Sequence, residues 1–154
     1  MSTFQAMDIA ASGLSVQRTR MALVASNLAN VQSTRDPELN GPYRRRELVV
    51  HAIAPTDFAE LLRTELGGPN AEEIASAMRQ AEVARISIDE SPPLEVYDPS
   101  HPDANAQGIV SLPNISVMRE MADMMAAARA YEANLATLRT TRNMAQGAME
   151  IGRG

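Results

Sequence analysis

The chain has 154 residues, of which 45% are hydrophobic and only 3% aromatic, with ten Met and no Cys or Trp. This length is enough for one domain or for one small domain with extended arms. The lack of Cys excludes disulfides and thiolate metal sites. Apolar surface built from Met and Ala packs adaptably, which is typical of helical bundles and of partner interfaces.

The formal net charge of −5 is unevenly placed along the chain. Residues 1–31 carry one acid and two Arg, and residues 114–154 carry four acids and five Arg, so residues 32–113 hold the other 14 acids and seven Arg. A middle of net charge −7 argues against nucleic acid as a partner, because phosphate binding needs positive charge.

Composition alone predicts a cytoplasmic protein. The longest candidate span, Met21–Thr34, is free of charges but has only 14 residues and contains Ser, Asn and Gln, so no membrane span is predicted. No basic start precedes an apolar run with a cleavage site, so no secretory signal is predicted either.

The first predicted element is a long helix from Thr3 to Val31. Ser2 and Gln5 have the spacing of a capping box, and apolar residues then recur every seven positions. Gly13 inside such a helix costs about 1 kcal/mol relative to Ala, so we expect it to permit close approach of another backbone. The predicted seam of this helix consists of Met7, Ala10, Leu14, Met21, Val24, Leu28 and Val31.

Residues 35–113 are predicted to form a small α+β module with a variable helical insert at residues 55–90. After a polar loop, Glu47–Ile53 alternates as a strand does. Capping and apolar spacing then predict two short helices between residues 56 and 82, the second burying Ile74, Met78 and Ala81. Three further short strands are predicted at residues 84–88, 94–96 and 108–112.

Two polar clusters in this module are candidates for chemistry. Asp98, His101 and Asp103 could ligate a metal, but the prolines among them favour a rigid loop whose Asp and Ser side chains bond their own backbone. The run Arg44–Arg46 is interpreted as a solvated strand start rather than a polyanion site. Without a glycine-rich phosphate loop or a Ser/His/Asp set, no catalytic residue, cofactor or metal is predicted, and we do not expect an enzyme.

The longest predicted element is a helix from Asn114 to Gly152. Pro113 excludes an earlier start, Asn114 is a good N-cap, and Gly152 ends the apolar pattern. A helix of roughly 50 Å is too long for a small domain to cover, so it needs a second long helix. Its predicted seam, broken only by Arg142, consists of Val117, Met121, Met124, Ala128, Tyr131, Leu135, Leu138, Ala145 and Met149.

These elements predict a mainly α fold, in which the long N- and C-terminal helices form an antiparallel, coiled-coil-like pair beside the small α+β module. Residues 1–34 and 114–154 would form one discontinuous helical assembly domain. Antiparallel pairing is expected because the residues between the two helices would form one compact excursion that begins and ends at the same place. The favoured register sets Leu14 opposite Leu138 and brings Asp8 close to Arg142, which suggests an ion pair within the seam.

Three polar residues lie beside the predicted seams and are candidates for hydrogen bonds between subunits. They are Asn27, Asn30 and Asn134. Plain solvation of each side chain is the alternative that stays open, because Asn is usually exposed. The seam residues themselves are predicted to serve both the pairing of the two helices and the contact with neighbouring subunits.

Several segments resemble bacterial flagellar rod, hook and related axial proteins. Asp8–Leu14 and Val24–Asn30 are similar to the amino-terminal signature of that family, and Ala128–Asn134 is similar to its carboxy-terminal helix. Gly41–Arg44 and the loop Tyr97–Asp103 resemble the proximal-rod branch in particular. The resemblance covers roughly residues 1–54 and 92–154, and the predicted helical hairpin between them has no clear counterpart in the family.

The resemblance implies a structural subunit of the flagellar basal body. It implies export by the flagellum-specific type III apparatus without a cleaved signal, and stacking with other rod proteins and copies of itself into a hollow shaft in the periplasm. The periplasmic location implied by the resemblance replaces the cytoplasmic location predicted from composition. Neither binding to nucleic acid nor direct membrane insertion is expected.

Two alternatives stay open. One is a cytoplasmic helical adaptor, such as a type III export chaperone or a coiled-coil regulator, which would fold as a stable dimer. The other, more remote, is a small hydrolase that uses the loop Asp98–Asp103.

Overall fold

The computed structural model describes residues 3–37, 41–53 and 79–152. This part of the chain contains, in order, helix α1 (Thr3–Ala29), strands β1 (Arg46–Ile53), β2 (Gln80–Ile88), β3 (Leu94–Tyr97) and β4 (Ile109–Leu112), and helix α2 (Val117–Ile151). Helical residues outnumber strand residues here. Neither α1 nor α2 combines the length and the apolar character that a membrane crossing requires.

Helix α1 starts where predicted and ends at Ala29, two residues before the predicted end. Asn30 accounts for the difference. Its Nδ2 donates to the carbonyl oxygen of Ser26 at 2.9 Å, and its Oδ1 accepts from Ser33 Oγ at 3.0 Å. The side chain thus adds a second donor to the Ser26 carbonyl, which also accepts from the backbone nitrogen of Asn30 at 3.1 Å.

Helix α2 starts at Val117 rather than at the predicted Asn114. The backbone nitrogen of Glu120 donates to the carbonyl oxygen of Ser116 at 3.0 Å, which places Ser116 at the N-cap position. Asn114 instead donates from its side chain to the carbonyl oxygen of Pro92 at 3.3 Å. The predicted cap was wrong because the Asn114 side chain bonds a distant segment of chain.

The four strands form two two-stranded sheets, β1 with β2 and β3 with β4. In the second sheet the strands are antiparallel, with Leu94 opposite Leu112 and Tyr97 opposite Ile109. The predicted strands are confirmed. Residues 80–82, predicted as the end of the second short helix, lie in β2, where pairing with β1 outweighs the helical propensity of Ala81. The rest of the predicted helical hairpin, residues 56–78, lies outside the described residues.

The chain divides into two compact units. The first comprises Met1–Arg18, Val49–Ala84 and Ala128–Gly154, and the second comprises Thr19–Leu48 and Arg85–Ala127. Each unit therefore includes part of α1 and part of α2. The predicted division into a discontinuous helical domain and a middle module stays a prediction.

In the first unit, small residues of α1 lie against two other elements. Ala10 and Val16 are buried, and Ser12 Oγ accepts from the backbone nitrogen of Ala81 at 3.2 Å. A Cβ atom on Gly13 would lie 2.7 Å from Nδ2 of Asn134 on α2. Gly13 thus permits a close approach, as predicted, but the approaching group is a side chain rather than a backbone.

The same contact corrects the predicted register. A register that sets Leu14 opposite Leu138 would set Asn134 opposite Arg18, whereas Asn134 lies beside Gly13, five residues earlier in α1. The prediction was wrong because Gly13 and Asn134, which meet here, contribute nothing to an apolar repeat.

The core of the second unit is unusually polar. Its buried hydrophobic side chains are Val24, Tyr43, Val110 and Ala127. Asn27, Asp36 and Glu120 are buried among the described residues of the same unit. Strand β4 supplies Val110 to this core, whereas every residue of its partner β3 is exposed.

Candidate assembly interface

Asn27 lies in the last turns of α1 and is only 1% exposed. Its Nδ2 donates to the carbonyl oxygen of Arg46 and to Oε2 of Glu120, both at 3.0 Å. Its Oδ1 accepts from the backbone nitrogen of Arg46 at 3.0 Å and from the hydroxyl of Tyr43 at 3.1 Å. An Asn amide offers two donors and two lone pairs, so this side chain is saturated inside the chain.

Glu120 lies in the first turn of α2 and is 0% exposed. Besides the bond from Asn27 to Oε2, its Oε1 accepts from Nε of Arg45 at 2.6 Å. The Arg45 guanidinium also pairs with Glu47 and lies 3.5 Å from Asp123 Oδ2. A buried carboxylate is tolerated only when it is paired and hydrogen-bonded, and both conditions are met here.

The chain after α1 is folded so that Tyr43 and Arg45 reach this point. Asp36 and Gly41 form an isolated antiparallel bridge, and the backbone nitrogen of Tyr43 donates to the carbonyl oxygen of Ser33 at 3.1 Å. The guanidinium carbon of Arg46 lies 5.5 Å from the centroid of the Tyr43 ring. Within the second unit, α1, residues 43–46 and α2 are thus joined by one polar network, which we call the Asn27–Glu120 network.

Most of this network could not be predicted from the sequence. The solvated interpretation of the run Arg44–Arg46 fits Arg44, which is exposed, but was wrong for Arg45, whose side chain is 14% exposed and pairs with Glu120. An acid in the first turn of a helix is ordinary, because it complements the helix dipole. Glu120 therefore gave no signal that it would be buried against a residue 93 positions away.

On α2 the most closely covered line lies one residue before the predicted seam. Gly13 and Asn27 on α1, and Glu120, Ala127 and Asn134 on α2, make the close contacts or are buried. Of the predicted seam residues, Ala10 and Val24 are buried, whereas Val117, Met121 and Met149 are exposed. The others are partly buried: Met7, Leu14, Met21, Leu28, Val31, Met124, Ala128, Tyr131, Leu135, Leu138 and Ala145.

The predicted polar contacts have different outcomes. Asn27 has no hydrogen-bonding position left for a neighbouring subunit. Asn30 caps α1 and Asn134 lies against Gly13, and for these two a contact between subunits stays a prediction. The ion pair suggested between Asp8 and Arg142 also stays a prediction; both residues are exposed.

Helix α2 carries an exposed apolar stripe on the part that belongs to the second unit. Met118, Met121 and Met125 are 83%, 52% and 58% exposed. Their spacing of three and four residues places them on one face of the helix. Val117 beside them is also exposed, and so are Met144, Met149 and Ile151 in the part of α2 that belongs to the first unit. Exposed apolar patches of this kind mark interaction sites.

The loop after β3 forms the rigid turn that the sequence predicts. Oδ1 of Asp98 accepts from the hydroxyl of Ser100 at 2.6 Å and from its backbone nitrogen at 3.1 Å. These hydrogen bonds favour the carboxylate and hold the pKa of Asp98 below its usual value. Gly108 closes the loop at φ +75°, a left-handed conformation that favours glycine.

Asp103 ties this loop to the chain that follows α1. Its Oδ2 accepts from the hydroxyl of Thr34 at 2.7 Å, and its other oxygen pairs with Arg35. The Thr34 hydroxyl first, and then Arg35, hold the pKa of Asp103 below its usual value. Within the described ranges, no three His, Asp or Glu side chains converge as a metal site would require.

Comparison with known families and proteins agrees with the resemblance found in the sequence. The family described as "Flagella basal body rod protein" matches residues 7–35, and the family described as "Flagellar basal body rod FlgEFG protein C-terminal" matches residues 106–151. The two matches fall on α1 with the chain just after it, and on β4 with α2.

Full-length relatives extend the agreement across the whole chain. The flagellar basal-body rod protein FlgC of Bacillus subtilis is 37% identical over 99% of this chain and 100% of its own length. The FlgC protein of Borreliella burgdorferi is 34% identical over 100% of this chain and 100% of its own length. The FlgC protein of Salmonella typhimurium is 33% identical over 99% of this chain and 99% of its own length. This chain therefore belongs to the FlgC family of flagellar basal-body rod proteins, whose members are structural rather than enzymatic.

Proposed function

We propose that the chain is a structural subunit of the flagellar rod that stacks with other rod proteins and with copies of itself. In this proposal α1 and α2 pair antiparallel in a coiled-coil-like manner, and the exposed stripe Met118, Met121 and Met125 docks on a neighbouring subunit. The observation that carries the proposal is the two-sided character of α2. Glu120 is fully buried within the chain, whereas the neighbouring Met121 is half exposed.

The stripe has the chemistry that stacking needs. Full burial of a side chain such as Met contributes about 1.5–3 kcal/mol, so three of them supply a substantial apolar anchor. The flexible, polarizable Met side chain adapts to surfaces that differ in detail. That property suits a subunit whose neighbours include both its own copies and related rod proteins.

The contacts between α1 and α2 support antiparallel pairing. In the second unit a late residue of α1, Asn27, bonds an early residue of α2, Glu120. In the first unit Gly13, from the first half of α1, lies beside Asn134, far along α2. Val117, Met121 and Met149, predicted for the seam and found exposed, are assigned in this proposal to the contact with neighbouring subunits.

The proposal includes a place and a route. The relatives are named as basal-body rod proteins, which supports a location in the flagellar basal body. To this location the proposal adds a periplasmic position and export by the flagellar type III apparatus without a cleaved signal. The alternative of a cytoplasmic adaptor or export chaperone has no support among the relatives.

Paired substitutions on the stripe test the proposal. A Met121→Glu/Met125→Glu variant places two charges on the exposed face, and we expect it to fold normally but not to co-purify with basal bodies. Cells that carry only this variant should be non-motile. Export is measured in the same cells, so that failure to assemble is distinguished from failure to leave the cytoplasm.

Two controls accompany this experiment. Met121→Leu/Met125→Leu keeps the face apolar and should assemble, and Thr140→Glu adds a charge at an exposed polar position of the same helix. Basal bodies that incorporate the double Glu variant as well as the unmodified chain would contradict the proposal.

A further inference from the structure

We propose that the Asn27–Glu120 network sets the register of α1 against α2. The inference concerns the fold of the single chain and does not depend on assembly into a rod. It rests on Asn27 and Glu120, the two largest fully buried side chains among the described residues, which bond each other directly.

The apolar pattern by itself leaves the register open. Met7, Leu14, Met21 and Leu28 recur every seven residues in α1, and Val117, Met124, Tyr131 and Leu138 do so in α2. A slip of one helix by seven residues therefore sets apolar side chains against apolar side chains again. Met and Ala repack readily, so such a slip is opposed only weakly by shape.

The buried polar pair distinguishes the registers. A slip of seven residues would set Asn27 opposite Ala127 or opposite Pro113, ahead of the start of α2 at Val117. Glu120 would lose the amide of Asn27, and a buried carboxylate without its partners is strongly unfavourable. A single buried polar residue is known to fix the register of coiled coils in this way.

Residues 45 and 46 add a second constraint on the register. The backbone of Arg46 donates to and accepts from the amide of Asn27, so this segment is fixed to α1. The adjacent Arg45 donates to Glu120 and is thereby bound to α2. Arg45 consequently reaches Glu120 only when Glu120 lies beside Asn27.

Distance measurement between spin labels tests the proposal, and the lack of Cys makes labelling specific. Ala25→Cys and Ala122→Cys place labels at exposed positions of α1 and α2 within the second unit. With the network intact we expect one narrow distance distribution. In an Asn27→Leu/Glu120→Met background we expect a broad distribution, or a second distance displaced by roughly the 10 Å that seven helical residues span.

A matched control removes polar groups elsewhere. Thr137→Val/Thr141→Val deletes two hydroxyls that donate to carbonyl oxygens of their own helix, so the single distance should remain. If the double apolar variant loses its helical circular dichroism, Glu120→Met alone replaces it under the same criterion. Retention of the single narrow distance by a folded apolar variant would overturn the proposal.

Discussion

The two long helices of this chain differ in how much of their apolar surface the chain itself covers. Among the described side chains of α1, which begin at residue 6, every large hydrophobic residue is at least partly buried. On α2 seven large hydrophobic residues are exposed: Val117, Met118, Met121, Met125, Met144, Met149 and Ile151. The same heptad pattern in the sequence thus has two different outcomes.

The difference indicates that the two helices have different roles in folding and association. Helix α1 contacts three parts of the chain, since Ser12 bonds β2, Gly13 lies beside α2, and Asn27 bonds both Arg46 and Glu120. Helix α2 uses one side for contacts of this kind and leaves another apolar. We therefore expect substitutions on α1 and on the covered side of α2 to affect folding, and substitutions on the exposed side to affect association.

The largest expected effect comes from the covered side of α2. Glu120→Ala leaves Asn27 and Arg45 without their shared acceptor, and the loss of one partner from a buried pair costs about 3–5 kcal/mol. Chemical denaturation measures the free energy of unfolding. Glu132→Ala, at an exposed position of the same helix, should change that free energy by less than about 0.5 kcal/mol. An equal loss of unfolding free energy in the two variants would contradict the difference between the covered and exposed sides of α2.

The next largest effect is expected on α1. Gly13→Leu inserts a side chain where a Cβ atom alone would lie 2.7 Å from Asn134, and overpacking of this kind costs about 1–3 kcal/mol. Adding Asn134→Ala should recover part of the loss, because neighbouring sites couple. Ala11→Leu, at an exposed position two residues away, is the control. Additive effects of Gly13→Leu and Asn134→Ala would show that the two positions do not meet.

A smaller effect is expected from acid. Folding lowers the pKa of Asp103 through the Thr34 hydroxyl and then Arg35, so the ionised carboxyl stabilises the folded chain. This contribution is complete above the ordinary pKa of an Asp and is lost as the pH falls through the lowered value. Asp103→Asn should therefore unfold more easily than the unmodified chain at neutral pH, and the gap should narrow in acid.

Denaturation curves at several pH values, with Glu95→Gln at an exposed position of β3 as the charge-matched control, measure this gap. The free energy of unfolding of Asp103→Asn should still fall in acid, because Asp89 and Asp98 also have lowered pKa values through Ser91 and Ser100. A gap between Asp103→Asn and the unmodified chain that widens in acid would contradict the expectation.

The smallest effect on folding is expected from the exposed side of α2. Met118→Gln removes an apolar side chain that is 83% exposed, so the free energy of unfolding should change by less than about 0.5 kcal/mol. Met124→Gln, at a partly buried position, should cost more. Equal destabilisation by Met118→Gln and Met124→Gln would show that the stripe contributes to folding. That result would contradict the proposed difference between the helices.

Periodicity was enough to predict both helices and all four strands, because helical and strand repeats of apolar residues are local properties of the sequence. The turn that contains Asp98 and Ser100 was likewise predictable, since both residues bond within two positions of each other. The division of α2 into covered and exposed sides was not. It depends on Glu120, Asn27 and Arg45, which are polar and far apart in sequence, and a hydropathy pattern places such residues outside the core.

The same limit explains the errors in detail. Aligning the helices by apolar residues set Leu14 opposite Leu138, because Gly13 and Asn27 contribute nothing to an apolar repeat. Asn114 has the composition of a helix cap, but its side chain bonds Pro92 in another segment. In each case a contact across the fold determined the role of a residue whose local sequence indicated another.

Methionine oxidation in the assembled rod tests the central claim most directly. The chain carries its own reporters, since exposed Met converts to the sulfoxide faster than covered Met. Mass spectrometry would compare oxidation of Met118, Met121 and Met125 in the purified chain and in basal bodies, with the partly buried Met7 and Met21 of α1 as internal references. We predict that the three stripe residues oxidise readily in the free chain and become protected in basal bodies. Equal oxidation of the stripe in both states would contradict its role as an assembly surface.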